Sequence, residues 1–121
     1  MQMALLTCSL KKLVTKMAER VTNDNFTEKV IGFSGLALVE FYSDSCVPCK
    51  RMSPVLSALE TEYPEKLYVA KVNTAYDREI VEQYGVRATP TFLLIKEGEV
   101  VEQFSGARKK EELEQIIEAN L

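Results

Sequence analysis

The chain has no histidine. That absence removes the Cys-His nucleophile pair, the His-containing zinc sites and the Ser-His-Asp triad together, since each needs an imidazole as base or ligand. Cysteine is scarce as well, at three in 121 residues. Three cannot make a Cys-four zinc site within one chain, and a disulfide-stapled secreted domain would carry more of them in fewer residues. No apolar run approaches the roughly 18 residues of a spanning helix. Eighteen acidic against fifteen basic residues give a net charge of −3, which supplies no basic footprint for nucleic acid. Neither an integral membrane segment nor a nucleic-acid partner is expected. What is present, 46% hydrophobic and 27% charged residues, suits one globular domain with an ordinary core and no room for a second. Redox chemistry survives these exclusions.

Two of the cysteines stand as Cys-x-x-Cys in Ser45-Cys46-Val47-Pro48-Cys49-Lys50. Before them, Leu36 to Tyr42 is a short apolar run of buried-strand length. After them, Met52, Val55, Leu56 and Leu59 recur three and four residues apart, the mark of a helix with one buried face. The pair therefore falls at a helix N-terminus, where aligned peptide dipoles and unpaired N–H groups favour a thiolate over a thiol. Spacing alone leaves redox work beside two blander readings: half of an intermolecular metal site, or inert core cysteines.

Residues 1–20 differ from the rest. Leu6, Leu10, Leu13, Val14 and Met17 share one helical face, and Lys11, Lys12 and Lys16 lie off it. Without residues 1–16 the chain keeps twelve basic and eighteen acidic residues, a charge of −6, so a basic segment precedes an acidic body. It makes a poor secretory signal, with no positive charge before the Met3–Leu6 apolar patch and no small-residue cleavage pattern. Leu5-Leu6-Thr7-Cys8 approaches a lipoprotein cleavage site, but Thr7 and the missing upstream charge oppose it. The expectation is an extension over 1–16 and a domain over 17–121, with a basic amphipathic helix at a membrane surface as the other reading.

From Glu19 onward short elements alternate. A brief strand near Arg20–Val21 precedes a helix to about Ile31, for which Thr22-Asn23-Asp24 supplies N-cap side chains. The strand over 36–42 leads through the cysteine turn into a helix from Val47 to Glu62, with Pro54 inside it as a kink. A strand over 67–72 and a short helix from Asp77 to Tyr84 follow. Thr91–Ile95 and Val100–Phe104 flank Lys96-Glu97-Gly98-Glu99 as a hairpin. Leu113, Ile116, Ile117 and Leu121 stripe a closing helix.

With these elements in place, residues 17–121 resemble the thioredoxin family along their whole length. The resemblance rests on Glu40-Phe41-Tyr42, Cys46-Val47-Pro48-Cys49-Lys50, Pro54, Val69-Ala70-Lys71-Val72, Val86-Arg87-Ala88-Thr89-Pro90-Thr91, Gly98, Gly106-Ala107 and the ending Glu118-Ala119-Asn120-Leu121. It implies an α/β thioredoxin fold, a central mixed sheet flanked by helices on both faces. It also implies a protein-disulfide oxidoreductase in which Cys46 attacks and Cys49 resolves, and a cis Thr89-Pro90 peptide facing them. Substrate would lie against Ser45, Val47, Pro48, Thr89, Pro90, Gly106 and Ala107. No cofactor is implied beyond the redox-active Cys46-Cys49 disulfide. The partners implied are disulfide-containing proteins and a thioredoxin reductase, with the chain a cytoplasmic monomer. An oxidant or isomerase of an exported compartment, and a binding module with incidental cysteines, are the competing functions.

The residues themselves support this chemistry. A thiol near pKa ~8.5 is only about 3% thiolate at pH 7, whereas one near ~7 is about half. Cys46, just outside the helix, is expected to be the exposed thiolate. Cys49, one turn in, is expected to be more buried and to need a base. Glu40 stands where the family usually has aspartate and is expected to relay that proton, either as well as or instead of pairing with Lys71 on the neighbouring strand. Ser45 stands where the family usually has tryptophan and Val47 where it usually has glycine, so partner choice is expected to differ. The Thr89 hydroxyl, just before Pro90, is expected to donate a hydrogen bond to the Cys46 sulfur.

Overall fold

The computed structural model describes residues 18–121; the extension over 1–16 and Cys8 lie outside that range. In chain order the elements are β1 (Glu19–Arg20), α1 (Thr27–Ile31), β2 (Leu36–Tyr42), α2 (Val47–Glu62), β3 (Leu67–Asn73), α3 (Arg78–Gln83), β4 (Thr91–Lys96), β5 (Glu99–Ser105) and α4 (Lys110–Asn120). The strands form one sheet in the order β1-β3-β2-β4-β5. β1 and β2 run parallel to β3, while β4 is antiparallel to both β2 and β5. This is the mixed sheet with helices on both faces that the sequence predicts.

β2 is central because it is apolar on both sides: every residue from Leu36 to Phe41 is buried, as expected of a strand covered on both faces. Period-two alternation then divides the core. Ala37, Val39 and Phe41 pack with Phe26, Val30, Ile80 and Val81 on the side of α1 and α3. Leu36 and Leu38 pack with Met52, Leu56, Leu59, Leu113 and Ile117 on the side of α2 and α4. The same alternation puts Glu40 on that second face, under α2. The β4–β5 hairpin turns through Glu97 and Gly98, both at positive φ (50° and 85°), the pattern of a type I′ turn whose twist matches the strands it joins.

The helix expected up to Ile31 is much shorter. Only Thr27–Ile31 is helical, and it is a π turn closed by Gly32 N–H donating to the Thr27 carbonyl at 2.9 Å. The expected cap is also absent, because the polar residues are used elsewhere. Asn25 Oδ1 accepts from Thr22 N–H at 2.7 Å. Asn23 instead reaches the start of α3, its Oδ1 accepting from Ile80 N–H and its own N–H donating to Asp77 Oδ1, both at 3.2 Å. α2 spans the predicted 47–62 and continues past Pro54.

Candidate active site

The cysteines follow from the local sequence. After Tyr42 the chain leaves the sheet, and Cys46 adopts an extended conformation (φ −83°, ψ 105°) as the N-cap of α2, with Pro48 in the first turn, where its missing N–H costs nothing. Cys46 and Cys49 are joined as a disulfide. Cys49 N–H donates to Cys46 Sγ at 3.1 Å, so the sulfur takes the place usually held by a serine or aspartate oxygen. The first turn of α2 carries no acidic residue, and nothing there offsets the positive end of this 16-residue helix. In this bonded state Cys46 is 7% exposed and Cys49 3%. The exposed Cys46 expected from the sequence is not found in this state: bonded to Cys49, it is buried as well, and only slightly less so than its partner. Ser45, Val47 and Pro48 are exposed around the pair.

Glu40 is completely buried, and neither carboxylate oxygen has a hydrogen-bond partner. On its own face of the sheet its register neighbours are Lys71 in β3 and Phe92 in β4. Desolvation by this apolar setting pushes its carboxyl up to about 7, and the positive charge of Lys71 opposes the rise without cancelling it. The expected Glu40–Lys71 pair is therefore electrostatic and not a hydrogen-bonded ion pair. The Lys71 ammonium instead lies 4.7 Å from the centroid of the Tyr42 ring, a cation–π contact. A cavity of about 140 Å³ lined by Cys49, Lys50, Ser53 and Lys71 opens on this side of the disulfide.

On the other side the β4 register brings in a second loop. Phe41 pairs with Thr91, and Thr91 with Ser105, so the residues just before β4 and just after β5 arrive at the end of the sheet where β2 leaves for the cysteines. The Thr89-Pro90 peptide is cis. Gly106 N–H donates to the Pro90 carbonyl at 2.8 Å, and the Thr91 hydroxyl donates to the Ala88 carbonyl at 2.6 Å. Thr89 N–H and C=O take no backbone partner among the described residues. No hydrogen bond joins the Thr89 hydroxyl to Cys46 Sγ; Thr89 lines a polar cavity of about 330 Å³ with Ser43, Thr74, Arg78, Val86 and Arg87.

The sequence reading missed several of these supports. Arg108 fastens the Gly106-Ala107 turn by donating to the Ser105 carbonyl at 2.9 Å, while its guanidinium stacks 4.9 Å from the Phe104 ring centroid. Arg78 is placed at the site end by α3, and its only signal in the sequence is its position after Asp77. Among the described residues, no group of three or more side chains is arranged to hold a metal ion, and no helix is long and apolar enough to cross a membrane.

Comparison with known proteins places this geometry. A family model described as Thioredoxin matches residues 17–119. Thioredoxin 1 of Nostoc sp. is 35% identical over 104 residues, 86% of this chain and 97% of that protein. The thioredoxin of Bacillus subtilis is 34% identical over 102 residues, 84% of this chain and 96% of its own length. That of Pseudomonas aeruginosa is 36% identical over 101 residues, covering 84% and 94%.

Proposed function

Since the chain belongs to the thioredoxin family of thiol-disulfide oxidoreductases, we propose that its reduction of protein disulfides runs through Cys46 as the attacking thiolate and Cys49 as the resolving thiol. The Cys46 thiolate displaces one sulfur of a substrate disulfide, forming a mixed disulfide and releasing a substrate thiolate that takes up a proton. Cys49 then loses its proton and attacks Cys46 Sγ. The mixed disulfide breaks, the second substrate sulfur leaves as a thiol, and two electrons have passed from the enzyme to its substrate. The observation that carries this reading is the Cys46–Cys49 disulfide at the start of α2, with Cys49 N–H directed at Cys46 Sγ.

Glu40 is the base for the second step. A carboxyl held near 7 is close to evenly divided between its acid and base forms at neutral pH, the condition in which a general base both accepts and returns a proton readily. Lys71 tunes it, and the cavity shared by Cys49 and Lys71 offers the proton a way to solvent. Thr89 offers its free backbone N–H and C=O to an extended substrate segment, as in strand addition. Ser45, Val47, Pro48, Pro90, Gly106 and Ala107 shape the surface around it. The reading also includes a disulfide reductase that returns the electrons, a cytoplasmic monomer, no cofactor other than the cysteine pair, and residues 1–16 as an extension outside the catalytic domain.

Insulin reduction by dithiothreitol tests the assignment. Acceleration by the protein that disappears in Cys46→Ser, together with a mixed disulfide trapped by Cys49→Ser, is the expected result. No acceleration would favour a binding module. A reduction potential above about −200 mV, nearer the ~−180 mV of disulfide isomerase than the ~−270 mV of thioredoxins, would favour an oxidant or isomerase.

A further inference from the structure

The polar cavity beside Thr89 has no part in the dithiol chemistry. It holds about 330 Å³, large enough for a side chain, and two of its lining residues, Arg78 and Arg87, are arginines. Neither arginine joins an ion pair among the described residues. Arg78 spends one N–H on the Thr74 carbonyl at 3.0 Å, which holds its guanidinium against the cavity wall. Thr74, Thr89 and Ser43 add hydroxyls to the lining. Across the disulfide, the smaller cavity carries Lys50 and Lys71 against one acid, Asp44. Residues 17–121 as a whole carry six more acidic than basic side chains, yet these two cavities together are lined by four basic side chains and one acid.

We propose that this cavity is a substrate subsite for a carboxylate side chain, an aspartate or glutamate of the substrate protein within about three residues of the disulfide to be reduced. A substrate segment laid along the open backbone of Thr89 advances ~3.3 Å per residue, and Thr89 itself lines the cavity, so a side chain of that segment has the cavity within its reach. Arginine suits this role because its planar fork binds a carboxylate through two parallel hydrogen bonds. The proposal rests on the reductase reading and adds the class of substrate that reading leaves open.

The test uses three disulfide-bonded peptides that differ at one position two residues after the cysteine: glutamate, glutamine or lysine. Second-order rates of their reduction by the dithiol protein are measured at low ionic strength for the wild type, Arg78→Ala/Arg87→Ala, Arg78→Glu/Arg87→Glu and Arg51→Ala. The expected wild-type ratio of glutamate to glutamine peptide is about five-fold, as for a well-formed exposed ion pair, falling as salt is raised. The ratio should approach one in the double alanine variant, and the double glutamate variant should prefer the lysine peptide. Arg51→Ala, which removes a basic residue from the exposed surface of α2, should keep the wild-type ratio. Equal rates for the glutamate and glutamine peptides in the wild type would overturn the subsite alone. So would an equal loss of the ratio in Arg51→Ala, since that would trace it to the general field. No reduction of any peptide would overturn the reductase reading and the subsite with it.

Discussion

The backbone N–H of Cys49 points at the sulfur of Cys46 from 3.1 Å, so in the proposed mechanism the resolving residue also helps prepare the attacking one. A hydrogen bond to a charged acceptor is stronger than one to a neutral acceptor, and the helix N-terminus adds to it in favouring a thiolate over a thiol at this position. In the reduced protein Cys46 should therefore be the fast-alkylating cysteine of the folded domain at neutral pH, with Cys8 reacting at an ordinary thiol's rate. A pH profile of iodoacetamide labelling, read residue by residue by mass spectrometry, checks this. Equal rates at Cys46 and Cys49 would reverse the assignment.

Glu40 links the site to stability. Its carboxyl ionises near 7 in the folded protein against 4.5 for the ordinary group, so the folded state holds the proton more tightly than the unfolded one. Between these values the unfolded state has already released the proton, and stability must fall as pH rises through that window. A shift of this size corresponds to about 3 kcal/mol. Glu40→Gln should differ little from the wild type near pH 4, then gain on it up to about pH 7 and hold a constant advantage above, while its mixed disulfide resolves more slowly. Chemical denaturation across pH measures the first effect and stopped-flow the second. A stability difference that is the same at pH 4 and pH 8 would contradict the buried, unpaired carboxylate.

Lys71 acts on Glu40 through charge alone. Removing that charge in Lys71→Met should raise the Glu40 pKa further, and move the pH midpoint of mixed-disulfide resolution upward with it. The same change in a Glu40→Gln background should leave the midpoint where that variant has it. An upward shift that survives without Glu40 would mean Lys71 works on Cys49 directly.

Deleting residues 1–16 should change the melting temperature by no more than a few degrees and leave insulin reduction near the full-chain rate, because residues 18–121 already contain a closed core on each face of the sheet. A large loss of stability would place Leu6, Leu10, Leu13 and Val14 on that core. Vesicle co-sedimentation lost on deletion would assign the segment to a membrane surface.

The parts of this molecule that were legible in the sequence are those set by neighbours in the chain. β2 and α2 are examples: an unbroken apolar run and a three-four apolar spacing each fix an element locally, and both were found to the residue. Thr22-Asn23-Asp24 misled for the opposite reason. Asn23 resembles a cap, but its partners are Asp77 and Ile80, 54 and 57 residues away, and no local pattern announces such a distance. Lys71 was correctly set beside Glu40, since register follows from alternation. That its ammonium would settle over Tyr42, leaving the carboxylate without a hydrogen bond, depends on how three side chains share one space. The two arginines of the polar cavity are nine positions apart, Arg78 opening α3 and Arg87 in the loop before β4, and only the fold brings them together.

The Cys46–Cys49 bond closes a loop with a sequence separation of only 3. In the chain-entropy account a cross-link this short removes little freedom from the unfolded polypeptide, about 2 kcal/mol against the ~3 of a fifteen-residue loop. That loop is also the first turn of α2, whose main-chain hydrogen bonds do not depend on the sulfur–sulfur bond. The molecule can thus give up its disulfide and regain it at every turnover without giving up its shape, and the pair serves as a carrier of two electrons, held while the bond is open and handed on as it closes, more than as a clasp.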